Sequence, residues 1–150
     1  MPIPDNLGFV LRDISRLMRK RFDDRARASG VTVSQWRVLL TLVRYEGSNQ
    51  GFLADLLEVE PITLCRMIDR LEEAGLVARR RDPGDRRAWL IHLTEKAHPV
   101  VEQLQSVAEG LITDARAGLS DQQYEDLMAA LIVVRTNLSA PADEKQVGNG

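Results

Sequence analysis

Apolar residues recur every three or four positions along most of this chain and switch to strict alternation in one place only. Leu7, Val10, Leu11, Ile14, Leu17, Met18 and Phe22 trace one helix face. Asp5 is the expected N-cap of that helix and Gly30 its stop. Thr32-x-x-Gln35 reads as a capping box opening a second helix that ends near Gly47. Trp36, Val38, Leu39, Leu40, Leu42 and Val43 make it apolar on several sides, which predicts a central, buried helix. A short third helix is predicted over Gln50–Leu57, capped by Asn49, with Leu53, Leu56 and Leu57 inward. A fourth begins at Pro61, which suits the first helical position, and runs to Ala74 with Gly75 closing it.

Alternation then takes over. Leu76 and Val77 lead into one strand, and Ala88 to Leu93 form a second with Trp89, Ile91 and Leu93 on one face. Asp82-Pro83-Gly84-Asp85 between them predicts a reversal, because proline presets φ and glycine accepts φ > 0. Thr94 is the expected cap of a long helix carrying Val101, Leu104, Ala108, Leu111, Ile112 and Ala115, which Pro99 bends or starts late. Ser120-x-x-Gln123 opens a last helix with Leu127, Met128, Leu131, Val134 and Leu138. The polar segment 139–150 is expected to be disordered.

The fold class that follows is mainly α with a small β-hairpin, a winged helix-turn-helix flanked by N- and C-terminal dimerisation helices. The expected divisions are an N-terminal helix at 1–30, a winged domain at 31–94, C-terminal helices at 95–138 and a tail at 139–150. A chain of 150 residues with 44% hydrophobic and 28% charged content is ordinary for one soluble domain plus an assembly element. No apolar run approaches a membrane span, and the N-terminus lacks the order of a signal peptide, so a cytoplasmic location is expected. One cysteine and two histidines leave no disulfide and no convincing metal site, and no cofactor is expected. With no nucleophile–base pair and no phosphate-binding glycine loop, the chain does not read as an enzyme.

The net charge of −2 argues against a nucleic-acid partner until its distribution is considered. Residues 7–29 hold seven basic and three acidic side chains, and residues 79–87 hold five and two. Residues 111–150 reverse the balance, with three basic and six acidic. A local basic patch is the footprint of a DNA binder, whatever the global sum.

On a helical wheel, Leu64, Met67, Ile68 and Leu71 of the fourth helix share one arc. Ile62, Thr63, Arg66, Asp69, Arg70 and Glu73 occupy the other, where Arg66 could equally pair with Asp69 at i+3. A hydroxyl, an arginine and an aliphatic tip are the groups that read base edges in the major groove. Thr63 and Arg66 are therefore the candidate base contacts, with Pro61 and Ile62 packing at the groove floor or on sugar and Arg70 alongside. In the hairpin, Asp85, Arg86 and Arg87 are the candidate DNA-binding residues, since arginine is favoured at phosphate and in the minor groove.

The run Leu53-Ala54-Asp55-Leu56-Leu57-Glu58-Val59-Glu60-Pro61-Ile62-Thr63-Leu64-Cys65-Arg66-Met67-Ile68-Asp69-Arg70-Leu71-Glu72-Glu73-Ala74-Gly75-Leu76-Val77 resembles the helix-turn-helix of the MarR family of bacterial transcription regulators. The run Asp82-Pro83-Gly84-Asp85-Arg86-Arg87, followed by Leu93-Thr94-Glu95-Lys96-Ala97, is similar to that family's wing signature, most of all to its SlyA-like branch. Ala97 departs from it, standing where many members have glycine. The resemblance covers roughly residues 5–138.

It implies a triangular homodimer that binds a pseudo-palindromic operator in double-stranded DNA, with Arg86 as the minor-groove arginine. Asp82 or Asp85 would orient the wing arginines through charge-assisted hydrogen bonds. It also implies a repressor relieved by a small aromatic carboxylate or other amphipathic ligand, for which Arg16, Arg19 and Trp36 are the matching pocket residues. Cys65 reads as a small, semi-buried helix residue rather than a redox sensor. The rival reading is a winged-helix protein-interaction module without DNA binding, which has little reason to keep both Arg86 and Arg87.

Overall fold

The computed structural model describes residues 4–140. The elements run α1 (Leu7–Ala26), α2 (Val33–Tyr45), α3 (Gln50–Leu57), α4 (Pro61–Glu73), β1 (Val77–Arg81), β2 (Trp89–Leu93), α5 (Ala97–Ala115) and α6 (Asp121–Ser139). The chain divides into two compact units after Leu111.

In the first unit the helix starts are set by side-chain caps. Asn6, not Asp5, caps α1: its Oδ1 accepts from the Phe9 amide at 3.1 Å. The α-helix ends at Ala26, and a single 3₁₀ turn over Arg27–Ser29 carries the chain to Gly30, whose φ of 75° ends the run. The Thr32/Gln35 box is formed in both directions, and Asn49 caps α3 by accepting from Phe52 at 2.8 Å. α3 ends on Glu58, which takes a left-handed conformation at φ 53° and turns the chain into α4.

The largest fully buried side chains are Val38, Leu39 and Leu42 of α2, Leu53 of α3, Leu64, Ile68 and Leu71 of α4, Ile91 of β2 and Leu104 of α5. Burying each apolar side chain this far is worth roughly 1.5–3 kcal/mol. Two expectations about this core fail. Leu56 is 42% exposed, because the inward arc of α3 is Leu53, Ala54 and Leu57, and Leu56 lies beyond its edge at 100° per residue. Val43 of α2 is exposed as well.

The hairpin is antiparallel, in the register Val77↔Leu93, Arg79↔Ile91 and Arg81↔Trp89. Paired residues share a face, so Val77, Arg79 and Arg81 lie on the same side as the apolar triplet of β2. Ser48 extends β2 by accepting from the Ile91 amide at 3.0 Å, and Gly47 donates to the Ile91 carbonyl at 2.8 Å. Thr94 does not cap α5. Its hydroxyl donates to the Gly75 carbonyl at 2.6 Å, and α5 begins at Ala97 with Pro99 in the first turn, where no donor is needed. The departure at Ala97 is a fully buried methyl group.

The second unit holds the α5–α6 turn and α6. Gly118 supplies a φ of 89°, the Ser120/Gln123 box is complete, and Arg116 pairs with Asp121 at 2.6 Å while lying over the Tyr124 ring. None of the α6 side chains is buried: Leu127, Met128, Ile132, Val133 and Leu138 are all exposed, Leu138 by 80%. In α1, Leu7, Phe9, Val10, Leu11, Ile14 and Leu17 are likewise exposed. Ser139 is the last helical residue of α6, and residues 141–150 of the expected tail lie outside the described residues.

Candidate nucleic-acid interface

The apolar arc Leu64, Met67, Ile68 and Leu71 fixes the rotation of α4 about its axis. It leaves Pro61, Ile62, Thr63, Arg66 and Arg70 exposed on the opposite side, and Ile62 is 65% exposed. Among the described residues, the side chains of Thr63, Arg66 and Arg70 have no hydrogen-bond or ion-pair partner. Arg66 does not pair with Asp69, because Asp69 is taken by Arg79 at 2.6 Å. The helix N-terminus carries no side-chain cap: Glu60 stands at the N-cap without bonding inward, and Pro61 follows. The first-turn amides and the positive end of the helix dipole therefore face outward beside Ile62 and Thr63.

The hairpin tip is built differently from the sequence expectation. Gly84 is not left-handed. The Asp82 amide donates to the Ala88 carbonyl at 3.2 Å, and the Ala88 amide donates to the Asp85 carbonyl at 3.1 Å. The tight turn is thus Asp85–Ala88, with Arg86 and Arg87 at its two corners. Asp82 and Asp85 do not hold the arginine side chains. Their carboxylates accept from the Gly84 and Arg87 amides, each at 2.9 Å, as short acidic side chains do in turns. They shape the loop and leave the Arg86 and Arg87 guanidinium groups without partners among the described residues.

The three arginines of β1 separate by strand face. Arg80 points away from the core and is exposed. Arg81 lies over the Trp89 ring, 4.1 Å from its centre, and donates to the Arg86 carbonyl at 2.5 Å. Arg79 turns inward, its side chain only 14% exposed. Its Nε donates to Gln50 at 2.9 Å, its guanidinium pairs with Asp69 and Glu72, and it also donates to the Cys65 carbonyl at 3.2 Å. Burial opposes the Arg79 charge, but the Asp69 hydrogen bond and the charges of Asp69 and Glu72 outweigh it and raise its pKa above the usual arginine value. Arg79 stays charged at every working pH. The register could have revealed its role, since Arg79 stands opposite Ile91 on the buried face.

Of the candidate ligand residues, Arg19 and Trp36 line one cavity of about 380 Å³, and Arg16 does not. Arg16 sits on the surface near Asp13, at 3.7 Å. Trp36 packs its ring 4.3 Å from that of Phe22 and donates from Nε1 to Asp23 at 2.5 Å. Arg37, Arg44, Tyr45 and Leu57 also line the cavity, and no acidic residue does. Sequence reasoning missed Arg37 and Arg44, although Arg37, Thr41 and Arg44 share one side of α2 at i, i+4 and i+7.

The sequence model of the MarR family matches residues 31–89, from the start of α2 to the far side of the wing. The crystal structure of transcriptional regulator PA3341 superposes with a TM-score of 0.78 at 33% identity, covering 89% of this chain and 98% of the other. The chain belongs to the MarR family. A MarR transcriptional regulator from Methanosarcina mazei Go1 matches at 26% identity and a TM-score of 0.78, over 87% of this chain and 94% of that one. A cysteine-to-serine mutant of E. coli MarR, solved complexed with operator DNA, shares the fold at 24% identity and a TM-score of 0.69, over 85% and 92% of the two chains. The MarR fold of this chain thus includes its helix-turn-helix, its wing and its flanking helices. No helix among the described residues is long and apolar enough to cross a membrane.

Proposed function

We propose that this MarR-family chain is a homodimeric, sequence-specific DNA-binding transcription regulator, a repressor relieved by a small aromatic or amphipathic ligand. The observation that carries the reading is the set of unpartnered cations on two neighbouring structural elements. Arg66 and Arg70 stand on the outer side of α4, and Arg86 and Arg87 stand at the corners of the wing turn. Guanidinium groups left free of nearby acids suit phosphate and base edges. In this reading Pro61, Ile62, Thr63 and Arg66 meet the major groove, Arg70 and Arg87 hold phosphate, and Arg86 enters the minor groove. Asp85 supports them through the backbone of the turn. A protein-interaction module would have no use for so many unpaired arginines.

The exposed apolar residues of α6 and of α1 support a twofold dimer, since faces of that kind are a liability on a monomer. Residues 1–30 and 95–138 would then serve dimerisation, and residues 31–94 would bind DNA. In this reading the protein is similar to the SlyA-like branch, which the wing run Asp82–Arg87 supports. The cavity beside Arg19 and Trp36 supports a ligand with an anionic group and a flat apolar body, because its charged lining is all arginine and its walls are aromatic and aliphatic. Arg16 would act only at its approach. The protein works in the bacterial cytoplasm, where the DNA is.

Selection of bound sequences from random duplex DNA by the purified protein tests the reading. A pseudo-palindrome with half-sites about 10 bp apart is expected from a twofold dimer. Recovery of unenriched sequence at physiological salt would overturn it.

A further inference from the structure

We infer that Arg79 is a positioning residue for sequence recognition, a clamp that fixes the wing against the recognition helix without itself touching DNA. The inference rests on the DNA-binding reading and adds to it the residue that sets the geometry of the two reading elements. Arg79 belongs to β1, yet its partners lie on two helices: Gln50 at the start of α3, and Cys65, Asp69 and Glu72 along α4. Its backbone amide adds a bond to Glu72 at 3.2 Å.

The rigid fork of a guanidinium can hold several acceptors at fixed angles, and lysine cannot. Asp69 and Glu72 lie three residues apart, so they present two carboxylates along one edge of the helix. A β-strand gripped at those two points can neither slide along α4 nor swing away from it. Wing and helix must enter adjacent grooves together, so a fixed separation favours the operator over other duplexes. A looser wing would still find phosphate anywhere.

A positioning role and a contact role differ in salt dependence. Losing a phosphate contact lowers the slope of log affinity against log salt by about 0.9. Losing a positioning residue leaves the slope alone and erodes the preference for operator.

The test measures Arg79→Gln, Asp69→Asn and Glu72→Gln in the full-length protein, with Arg86→Ala as the contact comparison. Operator and random-duplex affinities are read across salt, with thermal melting and amide hydrogen exchange on the DNA-free protein. Arg79→Gln is expected to cut operator affinity about tenfold or more, to leave random-duplex affinity and the salt slope unchanged, and to speed exchange across residues 77–93. Asp69→Asn should do the same in smaller measure. The pair combined should do no worse than Arg79→Gln alone, because both break one interaction.

A slope reduced by about one unit per half-site would make Arg79 a phosphate contact and overturn the inference. So would unchanged operator preference, or unchanged wing exchange. If Arg79→Gln does not fold, Glu72→Gln at the half-exposed carboxylate carries the same comparison. If the parent prefers no duplex at all, the DNA-binding reading fails, and with it the recognition role. The exchange measurement still decides separately whether Arg79 holds the wing.

Discussion

Replacing Arg86 by alanine should weaken DNA binding and leave the protein's stability and oligomeric state alone. The Arg86 side chain has no partner among the described residues, and the turn uses only its backbone, whose carbonyl accepts from Arg81. Alanine keeps that carbonyl, so the change in unfolding free energy should stay within about 0.5 kcal/mol. The effect on DNA can be worked from the same geometry. A cation lying between the phosphates of a minor groove displaces counterions as a phosphate contact does, by up to about 0.9 in the salt slope, and a twofold dimer presents two wings, so up to roughly 1.8 units are at stake. Between about 50 and 200 mM salt the parent should lose roughly tenfold more affinity than the variant. Fluorescence anisotropy with a labelled operator at four or five salt concentrations measures this. A minor-groove position adds a second signature, with lost preference confined to A·T-rich flanks. Arg81→Ala is the informative contrast: it removes the cation–π contact with Trp89, worth about 0.5–1 kcal/mol at an exposed site, and frees the turn itself. If Arg86→Ala bound operator as tightly as the parent with the same slope, the wing would not lie in a groove.

Ile68→Ala, at a fully buried position of α4, should destabilise the fold by about 2–5 kcal/mol, seen as a lower denaturant midpoint; a loss under about 1 kcal/mol would mean that α4 is not anchored as described. Light scattering at micromolar concentration should give close to twice 16.8 kDa, and Leu127→Glu with Leu138→Glu should lower it; a clean monomer in the parent removes the dimer. Benzoate should quench Trp36 at millimolar concentration or below and weaken operator binding, and neutral benzamide should do less; an equal response to both would take the arginines out of ligand recognition.

The parts of the fold governed by neighbours in sequence were legible. The Thr32/Gln35 and Ser120/Gln123 boxes, the Asn49 cap and Pro61 at the start of α4 depend on bonds that reach three residues or fewer, and each stands as the pattern implied. The buried arc of α4 was legible for a similar reason: helical spacing alone selects Leu64, Met67, Ile68 and Leu71. Choices between near-equal local options were harder. Asp5 and Asn6 are both good caps, and Asn6 takes the role through the bond its side chain accepts from the Phe9 amide.

The candidate site was legible at Arg66, Arg86 and Arg87 as exposed cations, and hidden at Arg79. Three consecutive arginines look alike in a sequence. Strand alternation sends Arg79 inward, and only the tertiary placement of Asp69, Glu72 and Gln50 makes that position habitable for a charge. Thr94 was misread for a related reason, since its hydroxyl serves the distant Gly75 carbonyl instead of the helix that follows. The tip carbonyls and carboxylates also reorder the wing: Asp82 and Asp85 bind backbone, which moves the sharp turn onto Arg86 and Arg87.

The central claim is that α4 reads base sequence through Arg66, and selection of bound sites by the parent and by Arg66→Ala side by side tests it most directly. The parent should yield a pseudo-palindromic consensus. The variant should yield the same consensus with preference relaxed at one position in each half-site, most plainly at a guanine, and should lose about 1–3 kcal/mol on the parent's operator. An Arg66→Ala consensus identical to the parent's, with affinity reduced equally for operator and random duplex, would make Arg66 a phosphate contact and contradict the account.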